Sequence, residues 1–164
     1  MRKSIEKVLG AWLTFLLLAT AVVIPASEKA SALGVGNATL VLSSSSQVVN
    51  VNNTFSVDIQ VKANGELIDG VAVRLDFDPT KLGVNSLTKT TTWNGKTVAS
   101  LGSTVVDNVT GAVDFTGGIL GDTTTGNFSV GTVTFIAKAA TANTGIGFHF
   151  SPPPTRNTNV TSIG

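Results

Sequence analysis

Residues 69–82 read DGVAVRLDFDPTKL, and this stretch decides the fold class. Val71, Val73, Leu75 and Phe77 alternate with Ala72, Arg74 and Asp76, so every second side chain faces a core. The alternation stops at Asp78-Pro79, because proline fixes φ and has no N–H to give to a ladder. A half-buried strand therefore runs straight into a turn, and Leu82 and Val84 return to the core behind it. The same period of two recurs on both sides. Phe55, Val57, Ile59 and Val61 share one face of Phe55–Lys62, Val113 and Phe115 one face of Ala112–Thr116, and Val133, Phe135 and Ala137 another. Ile146, Phe148 and Phe150 alternate in the same way, and Ala38–Leu42 is a short apolar strand. Asp58, Arg74, Asp114 and Lys138 fall on the opposite, solvent-facing positions.

Turn chemistry separates these strands. Asn64-Gly65 is a turn signal, and Asn94-Gly95 between Trp93 and Lys96 is a stronger hairpin signal. Thr88–Thr92 reads as a solvated loop or weak edge strand, Gly117-Gly118 and Gly121 as bends, and Pro152–Pro154 as an extended connector. Short strands at this spacing, with no helical periodicity, predict an all-β protein: an antiparallel sandwich.

The first 32 residues read as a leader. Arg2, Lys3 and Lys7 form a basic start, Ala11–Ile24 is apolar, Pro25 breaks the run, and Ala30-Ser31-Ala32 is a small-x-small cleavage pattern ending at Ala32. The run is short for a bilayer span and has no basic flank behind it, which argues against an uncleaved anchor. Cleavage leaves 132 of the 164 residues, as one domain over 33–164, with seven basic against eight acidic side chains. The pI of about 8.1 therefore belongs to the precursor. A chain so nearly neutral is a poor partner for nucleic acid or anionic membrane surfaces, and after cleavage nothing is left to insert stably in a bilayer. Cysteine is absent, so no disulfide framework or lipid anchor is available.

DGVAVRLDFDPTKL, with its aromatic-Asp-Pro turn and returning leucine, resembles the third and fourth strands of cohesins. These are the non-catalytic receptor modules that hold dockerin-bearing enzymes on bacterial polysaccharide-degrading complexes. TFSVDIQVKA resembles the family's second strand, VTGAVDFTGG its sixth, GTVTFIAKA its seventh and TGIGFHF its eighth, in the family's order. The resemblance implies a jelly-roll sandwich of nine strands, with RNTNVTSIG standing where the ninth would still be needed and the domain incomplete at its C-terminus. Since the family's ninth strand lies beside its first, Ala38–Leu42 would then keep an unpaired edge. The resemblance also implies a dockerin-facing sheet of strands eight, three, six and five. Its outward positions here are Ala72, Arg74, Asp76, Asp114, Thr116, Gly147 and His149, with Gly70 and Ala72 where type I members place polar contacts.

The chemistry of the chain points the same way. One histidine, no cysteine and no GxSxG leave nucleophilic hydrolysis without parts. His149 stands outward between Phe148 and Phe150 and has no second histidine with which to hold a metal. Asp76 and Asp78 read as a solvent-facing residue and a turn former rather than a glycosidase pair. Asp78 and Asp122 lack the spacing of a calcium loop, and no cofactor or metal is expected. Asn37, Asn52, Asn108, Asn127 and Asn159 each begin an N-x-S/T triplet, as an Asn- and Thr-rich composition produces by chance. Trp93 is either a lone sugar platform or a hairpin residue packed on a loop. Three readings follow: a secreted cohesin-like module that docks a dockerin-type protein at or outside the cell surface, a carbohydrate-binding module of a similar sandwich, or a structural or adhesive domain. Sugar stacking normally uses several coplanar rings, and the seven mature phenylalanines alternate inward, which favours the first over the polysaccharide-binding second.

Overall fold

The computed structural model describes residues 21–24, 29–31, 36–43, 47–150 and 157–162. Among them the regular elements are all strands: β1 (Ala21–Ile24), β2 (Lys29–Ser31), β3 (Thr39–Ser43), β4 (Gln47–Asn50), β5 (Thr54–Lys62), β6 (Gly70–Phe77), β7 (Leu82–Lys89), β8 (Thr92–Trp93), β9 (Lys96–Thr97), β10 (Ala99–Ser100), β11 (Val105–Asp107), β12 (Ala112–Gly118), β13 (Asn127–Ala137), β14 (Ile146–Phe148) and β15 (Asn159–Thr161). One sheet runs β2-β3-β5-β13-β7. The second large sheet runs β10-β12-β6-β14, with β11 also on β12 and β15 also on β6, and β1-β4 and β8-β9 form two-stranded sheets. Every pairing is antiparallel.

The sandwich forms because each sheet has one apolar face to hide. Leu40, Val57, Ile59, Val61, Val133 and Phe135 from the first sheet meet Val71, Val73, Leu75, Val113 and Phe115 from the second, all buried. Phe135 is the hub, stacked on Phe55 at 5.6 Å and edge-on to Phe77 at 5.4 Å. The turns obey the local chemistry. Asn94 and Gly95 both have positive φ (46° and 84°) between β8 and β9, as do Asn64 and Gly65 (51° and 95°). That backbone matches the right-handed twist of the strands it joins. At the Asp78-Pro79 turn, the Asp78 carboxylate accepts from the Thr80 N–H at 2.8 Å and the Thr80 hydroxyl at 2.7 Å.

Several elements differ from the sequence expectation. Gly117 and Gly118 are not a bend: they extend β12, opposite Val71 and Gly70. A Cβ on Gly117 would press on Trp93 and Val98, and one on Gly118 on Leu101, so glycine lets those side chains lie against the sheet. The last inward strand also stops early. β14 ends at Phe148, which is half-buried, and Phe150 is 39% exposed. Beyond it the His149 N–H donates to Arg74 O at 2.8 Å, and β15 takes over the rest of β6. Between the two segments the Thr158 hydroxyl accepts from the Arg74 N–H (3.0 Å) and donates to Arg74 O (2.7 Å), standing in for a main-chain neighbour. Thr88 and Lys89 belong to β7, whereas Pro152–Pro154 lie outside the described residues. Arg74, Asp58 and Asp114 are half-buried rather than exposed, because each is held flat along its sheet by its own hydrogen bonds or ion pair. Lys138 is exposed as expected. Finally, Lys29–Ser31, part of the segment read as leader, pairs along Thr39–Val41 of β3, on the edge expected to stay unpaired.

Candidate docking face

The outer face of the second sheet gathers the site residues. Residues directly opposite in an antiparallel pair share a face. Asp114 lies opposite Arg74, Thr116 opposite Ala72, Ala112 opposite Asp76, and Gly147 opposite Asp76 on the other side. Alternation carries Gly70 and Gly118 to the same face, so its middle is built from Gly, Ala and Thr. The charges are set among them. Arg74 Nε lies 3.8 Å from Asp114 Oδ2, while its Nη1 donates to Val73 O (2.8 Å), Phe115 O (3.2 Å) and Thr116 Oγ1 (3.4 Å). His149 Nδ1 contacts Asp76 Oδ2. All six residues expected to meet a partner, Ala72, Arg74, Asp76, Asp114, Thr116 and His149, therefore sit on one platform.

Two apolar residues on this face escape sequence reasoning. Val105 pairs with Asp114 and so projects outward beside it, 44% exposed. Leu101, 39% exposed, leaves β10 with its N–H on Thr116 O at 3.0 Å, and its side chain lies over Gly118. The alternation of Val105-Val106-Asp107 against Ala112–Asp114 was a signal for the first. Nothing local marks Leu101, because its place depends on the missing Cβ of Gly118.

Solved structures share this arrangement of sheets. The second type II cohesin module from the adaptor scaffoldin of Acetivibrio cellulolyticus, solved with a long C-terminal linker, matches with a TM-score of 0.53 at 12% identity. The match covers 87% of this chain and 78% of that one. A second structure of that module gives 0.51 at 12% identity over 88% and 86%. A chain of a type II cohesin–X–dockerin complex from the same organism gives 0.52 at 12% over 87% and 86%. The fold is the cohesin fold. No protein-family model and no curated protein matches the sequence.

The remaining candidates are occupied with structural work. Trp93 is 1% exposed, stacked on Phe128 at 5.2 Å, with its indole N–H on Thr90 Oγ1 at 3.1 Å. It offers no ring face to a sugar, because the β8–β9 hairpin folds it into the core. The Asp78 carboxyl is held below the usual carboxylate range by the Thr80 hydroxyl and N–H, as suits a turn former. Asp122 is lowered by Lys96, whose Nζ is 2.6 Å away, and by the Thr123 N–H. Among the described residues no group of three or more His, Asp or Glu is placed to hold a metal. No helix among them is long and apolar enough to cross a membrane.

Proposed function

We propose that this chain is a secreted, non-catalytic docking module whose β14–β6–β12 face receives a dockerin-type protein. The observation that carries the reading is the composition of that face. Small residues at its centre let a partner helix approach the sheet, Leu101 and Val105 supply apolar anchors along one side, and the Arg74–Asp114 and Asp76–His149 pairs supply charge to fix register. The dockerin in the complex of the fold relative and the family order of strand motifs support a dockerin as the partner. Export through the leader ending at Ala32 would place the module outside the cell, on polysaccharide-degrading or cell-surface assemblies. With Trp93 in the core, direct polysaccharide binding loses the one aromatic platform that the sequence offered.

The test is capture. The immobilised protein is offered dockerin-bearing proteins from the same organism, alongside insoluble cellulose and xylan. Dockerin capture is expected, with no retention on either polysaccharide. Ala72→Arg, which places a long side chain in the middle of the face, and the exchange Arg74→Glu with Asp114→Lys should each abolish capture while circular dichroism and melting stay near wild type. No capture by the folded wild type across the dockerin panel, or retention on polysaccharide instead, would overturn the assignment.

A further inference from the structure

Lys89, the last residue of β7, points into the sandwich. It pairs with Gly131, and Gly131 also pairs with the core residue Ile59. Leu87, two positions earlier on the same strand, pairs with the buried Val133. The Lys89 side chain therefore stands on the inner face of the first sheet, where the edges β7 and β10 leave the sandwich open. Its ammonium crosses to the second sheet, donating to Ser100 Oγ at 2.7 Å and Thr104 Oγ1 at 2.9 Å. Ser100 is opposite Gly117, whose missing Cβ would meet Trp93 and Val98, so Ser100 also faces inward. Around these groups lies a cleft of about 360 Å³, walled mainly by Val71, Leu87, Trp93, Val98 and Phe115, with threonines of the β7–β8 turn on its polar side.

A cation in such walls is chemically incomplete. Lys89 is half-buried and its hydroxyl partners Ser100 and Thr104 are exposed at the rim of the cleft, so the hydroxyls solvate the ammonium without neutralising it. Among the described residues no carboxylate lies within ion-pair distance of it. An apolar cleft of this size with one fixed positive charge at its mouth is complementary to an amphiphilic anion. We propose that this cleft binds a small hydrophobic carboxylate, its ring or chain of roughly eight carbons between the sheets and its carboxylate on Lys89. The cleft opens on the inner side of β12 and borders the docking face only at Thr116, and it does not depend on the docking assignment.

Isothermal titration calorimetry of the full chain tests this with octanoate and 3-phenylpropanoate, against the neutral octanol and 3-phenylpropanol, and against acetate, which has no apolar body. The carboxylates should saturate and bind at least about tenfold tighter than their alcohols, since only they pair with the ammonium. The chain and ring probes separate the two body shapes, and acetate should give no heat. Lys89→Met keeps the apolar stem and should bring acid and alcohol to equal affinity. Lys89→Arg should keep the preference, and Val98→Trp should fill the cleft and remove binding of both. Amide shifts at Lys89, Val98 and Ser100 should locate the ligand. Absence of saturation by either carboxylate in the wild type overturns the proposal. So does unchanged carboxylate binding in a folded Lys89→Met protein, which would leave Lys89 only as an inward charge that blunts an edge strand.

Discussion

Val73 and Arg74 are adjacent on β6 yet face opposite sides, so substituting each in turn tests the register of the strand that decides the fold. Val73 is 0% exposed and lies opposite Phe115 at the centre of the sandwich. Val73→Asp loses the burial of an isopropyl group, about 1.5–2 kcal/mol, and buries a carboxyl without a partner, about 2 kcal/mol or more after it takes up a proton. The expected loss is about 3–4 kcal/mol, enough to lower a urea midpoint by about 1.5–2 M at a typical slope of about 2 kcal/mol per molar. Arg74 is three-quarters covered, but its guanidinium only adds second donors to the carbonyls of Val73 and Phe115, a long 3.4 Å bond to Thr116 Oγ1 and a 3.8 Å contact to Asp114. Arg74→Ala should cost about 1 kcal/mol, or about 0.5 M in midpoint. Burial must raise the pKa of an aspartate at position 73 above its unfolded value, so the folded variant binds the extra proton. Its deficit should therefore shrink as pH falls from 7 toward 4, the reverse of a salt-bridged carboxylate. Should Val73→Asp fail to fold at all, the isosteric Val73→Thr, expected to cost about 1–3 kcal/mol, carries the same comparison. Equal midpoints for the Val73 and Arg74 variants, or no pH dependence of the difference, would refute the assigned faces.

Gly111 has φ +79°, and a Cβ there would lie 2.0 Å from Phe77 O, in a turn where the Phe77 N–H bonds to Gly111 O; Gly111→Ala should destabilise by about 3 kcal/mol or more, read as a drop in melting temperature. The carboxyl of Asp107 is held below its ordinary pKa by the Thr110 hydroxyl and the N–H groups of Thr110 and Val109. Its contribution is thus present above the unfolded value and lost as pH falls through the lowered folded one. Asp107→Asn should be less stable than wild type at pH 7, and the gap should close below about pH 4, followed by urea unfolding across pH. N-terminal sequencing of exported protein should begin at Leu33; a sequence beginning at Met1 would remove the leader from the reading. Loss of residues 1–32 also removes β2 from the edge of β3, so the processed chain should self-associate more than the precursor, measured by light scattering.

Which residues lie inside was legible from the chain alone. A strand turns its side chains over every residue, so Val71, Val73, Leu75 and Phe77 announce a buried face wherever their neighbours come from. Turns are equally local, since Asn94-Gly95 and Asp78-Pro79 fix their own backbone. These two signals gave the all-β class and the face each side chain takes, whereas the strand order and the six residues of the candidate docking face followed only from the resemblance to cohesins. They could not say what fills the space beside a strand, because that depends on segments far away in sequence. Gly117-Gly118 reads locally as a bend, and only the approach of Trp93, Val98 and Leu101 makes it a strand interior. Thr158 replaces a main-chain partner of Arg74 across 84 positions, and β2 meets β3 outside any pattern that either carries. The pairing of Arg74 with Asp114, the burial of Trp93 and the inward turn of Lys89 likewise depend on register between distant strands. A period of two tells a side chain which way to point; only the assembled sheets determine what it meets there.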